Sequence, residues 1–392
     1  MTGISIKRRA LVRLVYLLVA GLFVAAAGAS PSRAEEQGVT NQEIVLGMSN
    51  ALTGPASALG TGVKAGAMTY FQKINNAGGV NGHKIKVISY DDEYEPKRTV
   101  ENTNKLINED KVFALFGYVG TPTSAAVLPI INKEHMLYWG PFTGAEFLRM
   151  PVTKNIFNIR GSYFDETEMQ VKYLTEKLGK KKIGIFIQND AYGISVKGGV
   201  VKALKKRNLE IMCEGTYERN TENVDAGLAA IKPYNPDAVV MVGTYKAMAA
   251  FIKKAKAQGF NPLFLNVSFV GTAALVKELA GAGGDVIVTE VMPSPYDSPL
   301  PLVHQYRQDM KEAGHPQLDY TDLEGYVDAV VFVEVLKKVA GPLTRESFIA
   351  AAENLNATVG GLTFTFTAEN HQAMSKIYLT KIAGSKVIEI QK

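Results

Sequence analysis

Two short turns hold the residue types best suited to chemistry, and that chemistry is the capture of a carboxylate. The first, Gly120-Thr121-Pro122-Thr123-Ser124, follows an apolar run at 112–119. Thr121 suits the N-cap of a helix and Pro122 its first turn. The glycine admits a ligand to the backbone. The N–H groups of Thr123 and Ser124 are expected to point outward at the positive end of the helix dipole, where an anion is stabilised. A plain helix cap would explain Thr-Pro equally well. The second turn, Gly140-Pro141-Phe142-Thr143-Gly144, repeats the combination of glycine, hydroxyl and backbone N–H after the run at 136–139. Tyr138, Trp139 and Phe142 could add an apolar wall, with at least one of them belonging to the core.

Catalytic and cofactor patterns are weaker. The five histidines, His83, His135, His304, His315 and His371, lack the spacing of helical metal ligands, and neither HExxH nor CxxC occurs. No G-x-S-x-G elbow presents a serine nucleophile. The acidic cluster 91–95 lacks the ligand spacing of a calcium loop and reads as a solvated turn. Gly60, Gly62 and Gly66 approximate a dinucleotide fingerprint, but the third glycine comes one place late and residues 51–59 separate the group from its strand. No cofactor and no enzymatic activity is expected.

The elements that must position the two turns alternate. Strand-like runs at 44–49, 85–90, 112–119, 136–139 and 156–160 enclose helical patterns at 63–75, 96–108 and 123–133. The rhythm restarts with helices at 166–178, 195–207, 225–231 and 246–258 and strands at 182–188, 210–216, 238–242 and 263–267. Runs such as 238–243 are apolar throughout, as in strands buried on both faces of a parallel sheet. Two sets of β-α units imply an α/β fold of two doubly wound lobes. The last third is less regular, with a strand at 285–292, helices at 300–313, 322–339 and 345–354, and strands at 362–366 and 376–382.

At these turns the chain resembles the type I periplasmic solute-binding proteins, in particular the leucine/isoleucine/valine-binding group. The likeness runs from Asn41 to Lys392. It rests on the stretch 47–60 with Thr53-Gly54-Pro55, on 74–82, on Tyr90-Asp91-Asp92 and on the Gly120-Thr121-Pro122 turn. Asn189-Asp190-Ala191-Tyr192-Gly193 and Glu324-Gly325-Tyr326 continue it. The resemblance implies two Rossmann-like lobes joined by three crossings, near Arg160, Val291 and Leu362. It places 35–160 with 292–362 in one lobe and 161–291 with 363–392 in the other. It further implies that Gly120, Thr121, Phe142, Thr143 and Gly144 hold the solute's carboxylate, with Leu59 as a side wall. Tyr192, Thr244 and Tyr245 would close from the second lobe, and Tyr320 would add an aromatic wall. Amino-acid-binding members place an acid for the ligand ammonium after the strand corresponding to 263–267, where this chain has Ser268. Either another acid such as Asp190 substitutes, or the solute is a carboxylate without an ammonium, aromatic acids included.

The implied protein is the monomeric solute receptor of an inner-membrane ABC permease. A ligand-sensing subunit of a membrane receptor and an exported enzyme on the same scaffold are the alternatives.

Charge supports the destination. The formal charge of the whole sequence is +5. Lys7, Arg8, Arg9, Arg13 and Arg33 lie in the first 34 residues, which contain no acid. An apolar run at 14–27 and Ser32-Arg33-Ala34 complete the pattern of a secretory signal, with cleavage expected after Ala34 and export to the periplasm. That run is short of the ~20 residues a membrane span needs. The remaining cations and acids balance, so charge gives no reason to expect nucleic acid or a membrane as partner. The single cysteine, Cys213, reads as a small core residue in a strand.

Overall fold

The computed structural model describes residues 36–390; the expected signal segment at 1–34 lies outside them. The first sheet is built from β1 (Glu43–Asn50), β2 (Lys84–Asp91), β3 (Ala114–Phe116), β4 (Leu137–Trp139) and β5 (Ile156–Phe157), in the order β2-β1-β3-β4-β5 and parallel throughout. Its helices are α1 (Ser57–Asn76), α2 (Pro96–Asn108) and α3 (Thr121–Lys133).

The second set runs α4 (Tyr163–Lys172), β6 (Ile183–Gln188), α5 (Ala191–Lys205), β7 (Cys213–Tyr217), α6 (Asp225–Ile231), β8 (Ala238–Val242), α7 (Tyr245–Ala257), β9 (Leu263–Asn266), α8 (Thr272–Leu279) and β10 (Val286–Glu290). The chain then forms α9 (Pro301–Glu312), α10 (Tyr320–Lys338), α11 (Arg345–Glu353) and the hairpin β11 (Asn356–Val359) with β12 (Leu362–Thr365). It ends with β13 (Tyr378–Ala383) and β14 (Lys386–Glu389), which add antiparallel to β10. The second sheet has the order β14-β13-β10-β9-β8-β6-β7. Both sheets therefore reverse their strand order beside the first strand, between β1 and β3 and between β6 and β8. In open α/β sheets such a switch point, at the carboxyl ends of the strands, is where ligands bind.

The last part of the chain departs from expectation in one respect. The third passage between sheets falls beyond 374, not near Leu362. The Asn158 N–H donates to the His371 carbonyl at 2.8 Å, and the Met374 N–H donates to the Ile159 carbonyl at 3.1 Å. Phe366 packs edge-on against Trp139 and Phe157. The β11–β12 hairpin and the segment after it thus stay on the first sheet because their aromatic side chains complete its core.

Of the glycines that approximate a nucleotide fingerprint, Gly60 packs on the Ala51 backbone, and Gly62 and Gly66 face α10. A Cβ on Gly66 would lie 1.8 Å from the Asp322 carbonyl oxygen, and one on Gly325 would lie 2.1 Å from that of Val63. Their absence of side chains lets α1 and α10 meet backbone to backbone. Gly66→Ala is expected to cost about 3 kcal/mol through overpacking. The test is the urea midpoint, followed by the fluorescence of Trp139, the sole tryptophan of the sequence.

Candidate functional site

The turns after β3 and β4 are tied together. Phe142 N–H donates to the Tyr118 carbonyl at 2.8 Å, and Gly120 N–H donates to the Phe142 carbonyl at 3.2 Å. The parallel pairing of the two strands is thereby carried past their ends. Thr121 is not the cap expected of it. Gly120, at φ 116°, holds the N-cap position of α3, and no side chain caps that helix. The Thr121 hydroxyl instead lies 2.7 Å from that of Thr143 and 3.3 Å from the phenol of Tyr163, which Thr143 also approaches at 3.4 Å. Three buried hydroxyls thus converge at the switch point of the first sheet.

Other expectations for these turns change. The space a Gly120 Cβ would fill is taken by the Tyr94 ring, 2.3 Å away, and that of Gly144 by Tyr163. Both glycines admit protein rings to the backbone. The Ser124 N–H is used by the Gly120 carbonyl at 3.1 Å, and so is not free for an anion. Trp139 is core, with its indole N–H on the Asp328 carbonyl at 3.1 Å, and Tyr138 is bonded to Ser124 at 2.8 Å. Phe142 alone of the three faces the second lobe, 5.4 Å from Phe269. The acidic stretch 91–95 is not simply a solvated turn. Asp92 is fully buried and receives the Ser49 hydroxyl at 2.8 Å and the Tyr94 N–H at 2.9 Å. Burial pushes its carboxyl up to about 6. This anchor holds Tyr94 in the cleft.

From the second lobe, Phe269 packs at 4.7 Å from Tyr192 and 5.9 Å from Tyr94. The hydroxyl of Tyr192, buried beside Tyr163, has no hydrogen-bond partner. Tyr245 reaches the first lobe, its hydroxyl accepting the Ala58 N–H at 3.3 Å. Leu59 packs over Gly271, and Tyr245 touches the same spot. Thr244 holds the N-cap position of α7 without capping it, its N–H on the Tyr217 hydroxyl at 3.3 Å. Tyr320 packs on Tyr296 of the 291–300 crossing, at 6.0 Å, and makes no hydrogen bond or ring contact with the three hydroxyls.

Below the aromatic rings lies a charged cluster that sequence reading placed only as a crossing. Arg160, 1% exposed, pairs with Glu166 at 3.2 Å and Glu324 at 3.4 Å, bonds the Ser268 hydroxyl and sits 4.9 Å from the Phe142 ring centre. Burial opposes its charge, but Glu324 and Glu166 outweigh that and hold its pKa above the usual value. Glu166 also accepts the Ser268 N–H at 2.7 Å, the Ser268 hydroxyl at 2.9 Å and the Thr289 hydroxyl at 2.7 Å. Burial raises Glu166, and raises Glu324 to about 7, while Arg160 pulls both down. The one sequence signal for this cluster was an Arg in a hinge segment followed by a Glu on the next helix; nothing local tied Glu324 to it.

At the rim, Arg219 of the second lobe bridges Glu95 of the first at 2.9 Å and Asp190 at 3.1 Å, and the Asn220 amide donates to Glu95 at 2.7 Å. These bonds hold the lobes shut. Arg219→Gln is expected to weaken solute binding about two- to five-fold, as partly exposed ion pairs are worth ~1 kcal/mol or less. The loss should appear in the dissociation rate by stopped flow and shrink in high salt.

Among the described residues no group of His, Cys, Asp and Glu is placed to hold a metal ion, and no helix is long and apolar enough to cross a membrane.

Two lobes, each offering the carboxyl ends of its strands to one shared cleft, define a hinged solute-binding protein. The chain belongs to the periplasmic binding protein family, whose pattern it matches over residues 43–386. It is 34% identical to a possible leucine/isoleucine/valine-binding protein from Rhodopirellula baltica of known structure, with a TM-score of 0.85 over 92% of this chain and 98% of that one. A substrate-binding periplasmic protein from Ralstonia solanacearum is 28% identical, with a TM-score of 0.83 over 89% and 100%. The leucine-specific-binding protein of Salmonella typhimurium is 26% identical over 286 residues, 72% of this chain and 77% of that protein. Family and fold are those of solute-binding proteins and not of enzymes.

Proposed function

We propose that the protein is the periplasmic solute receptor of an ABC importer, exported by cleavage after Ala34, and that it captures a small carboxylate with an apolar body. The observation that carries the solute's class is the convergence of the Thr121, Thr143 and Tyr163 hydroxyls beneath a ring of aromatic side chains from both lobes. The hydroxyls donate to the carboxylate, while Phe142, Tyr94, Tyr192 and Phe269 enclose the apolar body. Leu59, Gly120, Gly144, Thr244, Tyr245 and Ser268 support that enclosure, and Tyr320 contributes at the hinge. Because the solute touches both lobes only when the cleft is shut, binding favours the closed state, and the permease would read that shape. The names of the relatives make branched-chain amino acids one source of such a solute.

A thermal-shift screen against amino acids, aliphatic acids and aromatic acids tests this. A solute at 1,000 times its dissociation constant stabilises by about 4 kcal/mol, a clear rise in melting temperature. Silence across all small carboxylates would remove the reading.

A further inference from the structure

We infer that the end of the solute remote from its carboxylate carries an uncharged group that both donates and accepts hydrogen bonds, a hydroxyl or a primary amide, and that Asn266 and Glu290 of the second lobe receive it. This rests on the solute-binding reading above and deepens it.

The two residues end β9 and β10, at the carboxyl ends of the strands, where a ligand of an open α/β sheet lies. The strands are parallel, with Val288 opposite Asn266. Side chains alternate along a strand, so Asn266 and Glu290 leave the same face of the sheet. That face carries α7 and α8. Phe264, two residues before Asn266, packs edge-on against Phe251 of α7 at 6.4 Å, and the Thr272 hydroxyl of α8 donates to Glu290. On the opposite face Thr289 is committed to Glu166, as is Ser268. The start of α8 also meets the first lobe. A Cβ on Gly271 would lie 2.6 Å from the Leu59 side chain, and the Ala273 N–H donates to Asp319 at 3.3 Å.

The polar groups here are unspent. Asn266 is fully buried, and neither its amide nitrogen nor its amide oxygen has a hydrogen-bond partner. A buried amide left bare on both atoms is costly. Glu290, 1% exposed, accepts only the Thr272 hydroxyl among the described residues, on one of its two oxygens. Burial, with Asp319 and Glu166 nearby, holds its carboxyl well above the usual range. It therefore stands as a neutral acid that can donate as well as accept. A hydroxyl or a primary amide both gives and takes, and so satisfies both residues. An ammonium only donates; it would leave the Asn266 N–H bare and require Glu290 to ionise while buried. A purely apolar end would leave every one of these atoms unpaired.

Isothermal titration calorimetry on the protein freed of copurified solute tests this with two sets of acids. The aliphatic set is pentanoate, 5-hydroxypentanoate, glutaramate and 5-aminopentanoate. The aromatic set is 3-phenylpropanoate and its 4-hydroxy, 4-carbamoyl and 4-aminomethyl ring derivatives. In at least one set the hydroxyl or amide member is expected to bind about 10-fold or more tighter than the unsubstituted acid. Asn266→Leu and Glu290→Met should each remove most of that gain and leave the unsubstituted acid bound no more weakly. Asn266→Leu should also raise the melting temperature without solute, because it removes a bare buried amide. Unsubstituted acids binding as tightly as their derivatives, an ammonium member binding tightest, or a gain that survives both substitutions overturns the inference and leaves the solute-binding reading intact. Failure of every member of both sets, and of all other small carboxylates, overturns both.

Discussion

Replacing Arg160 by methionine will lower the stability of the protein by about 3–5 kcal/mol at pH 8, because it strands two buried carboxylates. Glu166 and Glu324 are fully enclosed, and Arg160 is the cation that pulls both carboxyls down against the effect of burial. Without it their folded pKa values rise further above those of the unfolded chain. The folded state then binds more protons than the unfolded state across the intervening range, so stability falls as pH rises through it. The deficit of Arg160→Met should therefore be largest at pH 8 and smaller at pH 5. Urea unfolding at both pH values checks the sign. A deficit that does not change with pH would mean that packing against Phe142, and not the charge, is what the arginine supplies.

The second large effect concerns the solute. Thr121→Val and Thr143→Val remove hydroxyls while keeping shape, and each should weaken binding by roughly 10- to 100-fold, the worth of a hydrogen bond to a charged group. The two hydroxyls lie 2.7 Å apart and share Tyr163, so the double variant should lose less than the product of the single losses. Thr121 caps no helix, so Thr121→Val should leave the melting temperature without solute nearly unchanged; the Thr143 hydroxyl accepts the buried Ala145 N–H at 3.2 Å, so Thr143→Val should lower it. Calorimetric titration of the two single variants and the double variant measures this. Equal affinities throughout would take the carboxylate away from these turns.

The Thr121 result shows what could be read from the chain and what could not. Glycine, proline and threonine at the end of an apolar run locate a strand-to-helix turn by local chemistry alone. Local chemistry also makes Thr121 an equally good cap, and only the structure shows Gly120 at that position and the hydroxyl turned to Thr143. Phe142, Tyr192 and Tyr245 were legible in the same way, since each follows a recognisable strand end. Tyr94, Tyr163, Phe269 and Glu324 were not, because each depends on a partner far along the chain. Tyr94 enters the cleft only because Asp92 is buried on Ser49 and Thr99. Glu324 meets Arg160 only because α10 packs tightly on α1 through Gly66 and Gly325. The glycine-rich start of α1 misleads for the same reason: nucleotide loops and close helix packing both require glycine, and the sequence does not say which backbone approaches.

The position of Ser268 was legible as a departure from the amino-acid-binding pattern. The engagement of Asp190 was not, because its bonds to Arg219, Gln188 and the Tyr192 N–H exist only in the folded chain.

The central claim is that the two turns of the first lobe hold the solute's carboxylate while the second lobe closes over its apolar body. A crystal structure of the protein with its solute tests this most directly. The carboxylate is predicted within hydrogen-bond distance of the Thr121 and Thr143 hydroxyls, with the apolar body against Phe142 and Tyr192. A solute found instead in the groove of about 1000 Å³ beside Tyr296 and Lys376, with the cleft closed and empty, would contradict it.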